Sequence, residues 1–468
     1  MIRKLRIQNF KGWQDTERID LAPLTVLFGT NSSGKSSIGH FLMMLKQSAA
    51  SSDRKTIFYS GNDDSIVDVG LPKDYFYKGD LKSGLKYYYQ WDSSAFIIKL
   101  SNKKKEKIDF VSITFESEVA ENEQNGSIEI KKMNYSVDSS MGIFSIGMER
   151  SAKPQSNIRA YNVVEENYGL VRNLGRAWGC PAPIKFYGFP DEAVAYYQNA
   201  EILQELNLQQ ELLFSNIYYL GPLRKKASRL YVWDGSYPES VGSDGSQVVP
   251  AYLAAVKEDN GDINFKPKGK TFTFENIIAM MLKKMGLVSD FKVESIAENR
   301  KEYDVKVKVK DYSEWTDILD VGTGISQVLP VIVELFYAPN GSTIIMEQPE
   351  LHLHPSAQAG LADVIIEAIH SRKNGQNRNI QLIIETHSEH FLRRLQRRIA
   401  EGALSQEEFK AYFANNENEK AVLEPLQVNL FGDISNWPKE FFGDISGDIF
   451  AQTKAALDAR INEEKINE

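Results

Sequence analysis

Residues 24–37 read LTVLFGTNSSGKSS, a mainly apolar run followed by a loop of glycine, serine and a single lysine. The run Leu24–Phe28 predicts a buried strand, and the amphipathic residues 38–48 after the loop predict a helix. Glycines let backbone N–H groups turn inward around phosphate oxygens, while Lys35 can reach the β and γ phosphates and the Ser36 hydroxyl can bind Mg²⁺. The stretch therefore predicts a phosphate-binding loop at a helix N-terminus.

Composition places this loop in a large globular protein. The chain has 468 residues, of which 42% are hydrophobic and 25% are charged, which suits two or three domains. No apolar stretch has the length of a membrane span, and the N-terminal MIRKLRIQNF alternates charged and apolar residues where a signal peptide needs an apolar run. Cys180 is the only cysteine, so no internal disulfide can form. We therefore expect a cytoplasmic protein without a membrane partner.

The charge of the chain neither excludes nor favours DNA as a partner. The net charge is −8, which does not indicate nucleic-acid binding by the chain as a whole. Two local basic runs could neutralise phosphates, or could simply be solvated surface. They comprise Lys103, Lys104, Lys105 and Lys107, and Arg393, Arg394, Arg397 and Arg398.

Three further motifs lie in the second half of the chain. DVGTGISQVLP, at 320–330, places Gly322, Gly324 and Ser326 at the start of an apolar helix, which is a second anion-binding helix start. IIMEQPELHLHP, at 344–355, is a strand that ends in an acid and is followed by an amide. IQLIIETHSEHF, at 380–391, places His387 at the end of another apolar strand, where it could contact a γ-phosphate.

The order of NFKGW, GTNSSGKSS, YLGPLR, VGTGISQ, IIMEQPELHLHP and IIETHS resembles the ABC-type, AAA family ATPases of the SMC, RecF and OLD group. It is most similar to the compact versions found in prokaryotic anti-phage operons. The tail NLFGDISNWPKEFFGDI resembles a small C-terminal domain of unknown function. The resemblance implies an α/β fold, a P-loop NTPase of ABC type, to which the sequence pattern adds an antiparallel β-rich lobe and an inserted helical segment.

The resemblance also implies the cofactors ATP and Mg²⁺ and a set of site residues. Nucleotide binding is expected from Asn31, Ser32, Ser33, Gly34, Lys35, Ser36 and Ser37 of the phosphate loop, and from Gly322, Gly324, Ser326 and Gln327 of the signature loop. Ser36 and Glu347 are expected to hold the metal. Glu347, Gln348 and His387, the switch histidine, are the expected catalytic residues. The glutamine-bearing loop of the family has two candidates, Gln47 and Gln90.

Gln348 occupies the position of the usual general base. An amide cannot accept a proton at neutral pH, so it can only orient the attacking water, and we expect slow hydrolysis. The amide either belongs to a sequence tuned to dwell in the ATP-bound state or is a substitution that traps this state. Glu350 is an alternative source of a carboxylate, although Pro349 between it and the strand is expected to turn it elsewhere.

Sequence character divides the chain into five segments. Residues 85–150 contain short runs rich in β-branched and aromatic residues, whereas residues 191–215 place apolar residues at helical spacing. We predict the first part of the ATPase domain at 1–84, the β-rich lobe at 85–190, a helical segment with connecting strands at 191–315, the second part of the ATPase domain at 316–400, and a small C-terminal domain at 401–468.

The family resemblance explains why one chain has two anion-binding helix starts. In the family, each ATP lies between the phosphate loop of one subunit and the signature loop of another. The resemblance thus implies a head-to-tail dimer or higher oligomer. Some relatives carry a Toprim nuclease after the ATPase, but no strand ending in paired aspartates follows His387. We therefore expect a switch or scaffold that controls a separately encoded effector, such as a nuclease or toxin. A RecF-like repair ATPase and an ATP-bound structural hub are the alternatives.

Overall fold

The computed structural model describes residues 1–101, 104–122, 126–152, 156, 159–175, 179–258, 263–298, 300–309, 314–417, 420–438, 441 and 449–457, without the side chains of residues 98–101 and 104–106. Within these ranges, none of the helices is both long and apolar enough to cross a bilayer.

Strands follow one another from residue 85 to residue 166, whereas strands and helices are interspersed in the rest of the described chain. The strands are β1 Ile2–Phe10, β2 Trp13–Asp15, β3 Ile19–Asp20, β4 Leu24–Gly29, β5 Leu85–Asp92, β6 Phe96–Ser101, β7 Lys104–Glu121, β8 Ile128–Ser139, β9 Gly142–Arg150, β10 Tyr161–Glu166, β11 Ile217–Leu220, β12 Tyr231–Val232, β13 Ile263–Asn264, β14 Asp290–Ser295, β15 Glu302–Lys308, β16 Thr316–Asp317, β17 Thr343–Glu347, β18 Arg372–Lys373, β19 Gln376–Asn377, β20 Gln381–Glu385, β21 Phe409–Glu417 and β22 Lys420–Pro425. The α-helices are α1 Lys35–Ala50, α2 Pro72–Tyr75, α3 Asp191–Tyr196, α4 Glu201–Ser215, α5 Val248–Lys257, α6 Phe274–Lys284, α7 Thr323–Tyr337, α8 Pro355–His370 and α9 Glu389–Ala400.

A six-stranded sheet carries the motifs. Its order is β11-β17-β20-β4-β21-β22, and every neighbouring pair is parallel except β21 with β22. Strands β17 and β20 are buried along their whole length, as expected for parallel strands that are covered on both faces. Because β4, β17 and β20 are adjacent and parallel, the segments that follow them meet at one edge of the sheet.

A nine-stranded antiparallel sheet forms the lobe. Its order is β10-β9-β8-β7-β5-β1-β2, with β3 paired to β1 and β6 paired to β7. Strand β5 alternates buried and exposed residues, because only one face of this sheet packs on the core. The predicted α/β class with an antiparallel β-rich lobe is confirmed. The lobe nevertheless includes β1 to β3, so the predicted boundary at residue 84 cuts through one sheet.

Two apolar cores cover the two faces of the parallel sheet. Leu27, Ile345 and Ile383 face a core that contains α1 and the lobe, whereas Ile344 and Met346 face a core with α5 to α9. Side chains alternate between faces along a strand. The residues that end β17 and β20 therefore point to the same side as α1, the helix of the phosphate loop.

The segment 401–468 contributes to the parallel sheet. Strand β21 pairs with β4 in parallel over Phe409–Ala414 and Leu24–Gly29, and β22 extends the edge. The predicted boundary at residue 400 therefore also cuts through one sheet. The predicted helical segment at 191–315 contains α3 to α6 and strands β12, β14 and β15 of a small sheet, whose fourth strand, β16, follows the predicted boundary.

Glu334 of α7 is a buried carboxylate outside the site. Its Oε2 accepts a hydrogen bond from Val241 N at 2.9 Å, and burial raises its pKa from 4.5 to about 7, with Lys46 opposing and Glu239 adding to the shift. Between pH 4.5 and 7, Glu334 is therefore mainly protonated in the folded chain and mainly ionised in the unfolded chain. The stability of the folded chain falls as pH rises through this window.

Replacing Glu334 with glutamine should remove that loss. The amide oxygen can still accept the hydrogen bond from Val241 N. We therefore expect the free energy of unfolding of the variant to exceed that of the parent by about 3 kcal/mol at pH 8 and to equal it near pH 4.5. Urea unfolding between pH 5 and pH 8 measures the difference. Glu298→Gln, at an exposed position, is the control. An equal dependence of the unfolding free energy on pH in the parent and in Glu334→Gln would contradict the assignment.

Candidate functional site

The phosphate loop encloses a buried cation. The Lys35 ammonium, with the side chain only 3% exposed, donates hydrogen bonds to Thr30 O at 2.7 Å and Gly29 O at 3.2 Å. Burial lowers the pKa of Lys35, while Glu385 and Glu347 oppose this shift. A desolvated ammonium whose nearest partners are carbonyl groups of its own loop fits an anionic ligand that would replace them.

The loop is held closely by its neighbours on both sides. Gly34 has φ of 87°, and a Cβ there would lie 3.0 Å from Trp13 Nε1, which donates a hydrogen bond to Gly34 O at 2.9 Å. Gly29 has φ of 146°, and a Cβ there would overlap the carbonyl oxygen of Ala414 on β21. Both positions therefore require glycine, for backbone conformation and for space.

Two buried carboxylates lie beside the loop. Glu347 and Glu385 are register partners at the ends of β17 and β20 and are 6% and 7% exposed. Burial, and then the negative charge of Glu347, raise the pKa of Glu385, whereas the Ser36 hydroxyl and Lys35 act in the opposite direction. The parallel pairing thus places two acids next to the predicted metal-binding serine.

Glu347 is held by two side chains that the motifs do not include. Its Oε1 accepts a hydrogen bond from Tyr219 OH at 2.8 Å, and His40 Nε2 of α1 lies 3.1 Å from the same oxygen. Burial and the Glu347 carboxylate raise the pKa of Tyr219 well above its ordinary value, so the phenol remains a donor.

The donor set fits Mg²⁺, which prefers oxygen ligands. Ser36, Glu347 and Glu385 supply a hydroxyl and two carboxylates. Among the residues that the structure describes, no group of three or more histidine, cysteine or acidic side chains could hold a metal ion. Phosphate oxygens of a nucleotide would therefore need to complete the ligand set, as is usual for Mg²⁺.

Gln348 has a fixed backbone and a half-buried side chain. Its φ is 43°, its N–H donates to Glu385 O at 2.7 Å, and its carbonyl accepts from Arg224 at 3.1 Å. Arg224 also donates to Glu347 O at 3.1 Å and Gln327 O at 3.4 Å, and burial lowers its pKa to about 10. The guanidinium therefore joins α7 to the end of β17.

Glu350 is hydrogen-bonded to the turn that carries His387, the predicted switch histidine. It is 7% exposed, and its Oε1 accepts hydrogen bonds from Thr386 Oγ1 at 2.6 Å and His387 N at 3.1 Å. Burial raises the pKa of Glu350. Burial and then Lys35 lower the pKa of His387, so its imidazole is neutral near pH 7.

The signature loop begins α7, as the sequence predicts. Gly322 is the exposed N-cap, and Ser326 Oγ donates to Thr323 O at 2.8 Å. A Cβ on Gly324 would lie 3.0 Å from His352 O, and a cavity of about 590 Å³ opens between these two segments. Gln327, in contrast, is only 8% exposed.

The phosphate loop and the signature loop are separate within one chain. In the described part of the molecule, no hydrogen bond or ion pair joins residues 29–37 to residues 320–327. The structure therefore brings Lys35, Ser36, Glu347, Gln348 and His387 to one sheet edge, and among the described residues it shows no direct bond from Gly322, Gly324 or Ser326 to the phosphate loop.

The other predicted loop residues differ in exposure. Asn31 and Ser32 are exposed at the loop tip, Ser33 is buried with Oγ donating to Thr30 O at 2.8 Å, and Ser37 N donates to Gly34 O at 3.1 Å. Neither candidate for the glutamine-bearing loop joins them. Gln47 donates to Tyr59 O and Val67 O, and Gln90 interacts with Ser112.

Sequence reasoning missed several residues that shape the site. Tyr219 and Arg224 stand in YLGPLR, a motif to which the sequence alone assigns no role. His40 lies one helical turn beyond Ser36, so helix periodicity could have placed it on the same face. Asn416, whose Nδ2 donates to Ser32 O at 3.2 Å, has no sequence signal, because its strand is distant along the chain.

The two basic runs are largely neutralised where their side chains are described. Each described member pairs with a carboxylate: Arg393 with Glu389, Arg394 and Arg398 with Asp363, Arg397 with Glu401, and Lys107 with Asp109. Lys103 and the side chains of Lys104 and Lys105 lie outside the described part of the chain. These pairs reduce the positive charge available to nucleic-acid phosphates.

Two protein families match this chain. The AAA ATPase domain family matches residues 1–166 and 253–392, which is more than half of the chain. A family described as a protein of unknown function, DUF3696, matches residues 404–452, where the sequence predicted a C-terminal domain.

Individual proteins match less closely. An ATP/GTP phosphatase of Helicobacter pylori is 35% identical over 97 residues, which are 21% of this chain and 25% of that protein. An Smc head bound to the C-winged helix domain of ScpA is 10% identical, with a TM-score of 0.43 over 91% of this chain and 98% of that one. The SMC head domain from Thermotoga maritima is also 10% identical, with a TM-score of 0.38 over 91% and 99%.

Proposed function

Because the chain belongs to the AAA ATPase domain family, we propose that it binds ATP with Mg²⁺ at the phosphate loop and hydrolyses the nucleotide between two subunits. The fold is α/β, a P-loop NTPase of ABC type with an antiparallel β-rich lobe. The observation that carries the proposal is the meeting of Lys35, Glu347 and His387 at the ends of three adjacent parallel strands.

The residues at this edge have distinct tasks in the proposal. Lys35 exchanges its carbonyl partners for phosphate oxygens, and neutral His387 binds near the γ-phosphate. Ser36 and Glu347 hold Mg²⁺, which when bound neutralises charge on the phosphates. Gln348 orients the attacking water without accepting its proton, so turnover is slow.

The head-to-tail arrangement is supported by the second helix start. Helix α7 has 15 residues and an exposed N-cap, so its free N–H groups and dipole can stabilise an anion. The absence of a direct link to the phosphate loop, within the residues described, favours an anion brought by another subunit. Each ATP in the proposal lies between the phosphate loop of one copy and the signature loop of its partner.

Replacing Ser326 with arginine tests this arrangement. A bulky cation at the helix start should block the approach of a second subunit, so ATP-linked association and hydrolysis should each fall at least about tenfold. Nucleotide binding by the isolated subunit should remain, because no hydrogen bond among the described residues joins Ser326 to the phosphate loop. Light scattering with and without a non-hydrolysable analogue measures association, and a phosphate-release assay measures hydrolysis.

The control is Ser140→Arg, which adds the same cation on the exposed turn between β8 and β9. It should leave association and hydrolysis at parental values. Loss of nucleotide binding by isolated Ser326→Arg would instead place the loop in its own subunit's site and would contradict the head-to-tail pair.

We extend the proposal to a switch that controls a separate effector in anti-phage defence. The support is the resemblance to ATPases of anti-phage operons and the exposed apolar side chains of the C-terminal family segment, with Leu430 70% and Phe431 77% exposed. Products of neighbouring genes should co-purify with the parent in a nucleotide-dependent manner and with Ser326→Arg regardless of nucleotide. Hydrolysis stimulated by DNA ends, with no co-purifying effector, would favour the RecF-like alternative.

A further inference from the structure

Glu385 lies beside the phosphate loop, although the motif that contains it gives this glutamate no role. The motif that ends β20 is notable for His387, and the family pattern assigns the metal to Ser36 and the acid that ends β17. In the parallel pairing, however, Glu385 stands directly beside Glu347, and both side chains point to the face of α1. Neighbouring strands are about 4.8 Å apart, so both carboxylates can reach one ion.

The surroundings of Glu385 lack a full set of partners. Its side chain is 7% exposed, and its Oε2 is buried with no hydrogen-bond partner. The Lys35 ammonium is 3.9 Å from Oε1, which is beyond hydrogen-bond distance. One lysine therefore faces two adjacent acids, and a buried carboxylate oxygen without a partner is costly.

The two acids differ in how their oxygens are engaged. Glu347 Oε1 already accepts from Tyr219 and lies beside His40, whereas Glu385 interacts with the Ser36 hydroxyl, the predicted metal ligand. The free oxygen therefore belongs to the acid that contacts the metal-binding serine. A divalent cation would supply both the missing partner and the missing positive charge.

We propose that Glu385 is a second carboxylate of the Mg²⁺ site and holds the ion together with Ser36 and Glu347. This inference rests on the proposed function, because phosphate oxygens of the bound nucleotide complete the ligand set. Tyr219 and His40, which contact Glu347 Oε1, would orient that carboxylate.

Binding of Mn²⁺, followed by electron paramagnetic resonance, tests the inference without relying on turnover. The full-length protein is saturated with a non-hydrolysable ATP analogue, and free Mn²⁺ is titrated. Glu385→Gln keeps the size of the side chain and removes its charge, so Mn²⁺ affinity should fall by about tenfold or more. Glu334→Gln, which alters an equally buried carboxylate on α7, is the matched control and should bind Mn²⁺ like the parent.

A second titration distinguishes failure of this metal ligand from failure of the proposed ATP binding. A fluorescent ATP analogue with Mg²⁺ should bind the parent, and a parent that binds none would overturn the proposed function. In EDTA the parent and Glu385→Gln should bind the analogue comparably. If the parent binds the analogue and Glu385→Gln retains parental Mn²⁺ affinity, Glu385 is no ligand. Metal-free melting checks folding, and Glu385→Asp, which retains the charge on a shorter side chain, should weaken Mn²⁺ binding less than glutamine does. Parental Mn²⁺ affinity in the aspartate variant would also overturn the inference if the glutamine variant does not fold.

Discussion

Replacing Gln348 with glutamate should raise the rate of single-turnover ATP hydrolysis in the assembled protein by about 10²-fold or more. The side chain follows Glu347, and its backbone is fixed by hydrogen bonds to Glu385 and Arg224. The substitution therefore changes an amide to a carboxylate of the same size without requiring the chain to move. A carboxylate can accept the proton of the attacking water, which an amide cannot do.

Quenched-flow measurement of phosphate release, with enzyme in excess over ATP, isolates the chemical step. Gln376→Glu, on the exposed β19, adds the same charge far from the sheet edge and should leave the rate unchanged. An unchanged rate in Gln348→Glu would show that residue 348 is not at the base position. Glu350 is a poor substitute, because its carboxylate accepts from Thr386 and from the backbone of His387.

Replacing Lys35 with alanine should weaken nucleotide affinity by about 2 to 3 kcal/mol, or roughly 30- to 150-fold. Lys35 is the buried cation of the phosphate loop, and its three donors now contact carbonyl groups and a serine hydroxyl of that loop. Phosphate oxygens are stronger acceptors than these groups. Loss of the hydrogen bonds between Lys35 and the phosphates therefore has a large effect on affinity in a desolvated site.

Isothermal titration with ATP and Mg²⁺ measures this change. Lys46→Ala is the matched control, because Lys46 lies on the same helix but pairs with Glu239 and Ile217 O. Equal affinities in Lys35→Ala and in Lys46→Ala would remove Lys35 from the nucleotide site. Melting curves without nucleotide establish that both variants are folded.

The sequence by itself determined the local elements of the site. The strand Leu24–Gly29, the glycine loop and helix α1 were predictable, because apolar periodicity, glycine positions and a lysine at the helix start all act over a few residues. The start of α7 and the buried strand that ends at Glu347 were predictable for the same reason. The order of these motifs along the chain carried the family resemblance, which in turn implied the roles of the site residues.

Only the tertiary structure decided which elements are neighbours. Strand β21, from the predicted C-terminal domain, lies beside β4, and β1 pairs with β5 across the predicted boundary at residue 84. Periodicity gives the face of a strand but not the identity of its partner, since pairing depends on contacts between distant segments.

Tertiary structure likewise decided which side chains surround Glu347. Tyr219, Glu347 and Glu385 end or nearly end three strands that are more than thirty residues apart in sequence, and His40 comes from α1. They meet because β11, β17 and β20 pair in parallel, which brings their carboxyl ends to a single edge. The sequence thus supplied the chemical groups, whereas the order of the strands decided that a second carboxylate, a phenol and an imidazole surround the predicted metal ligand.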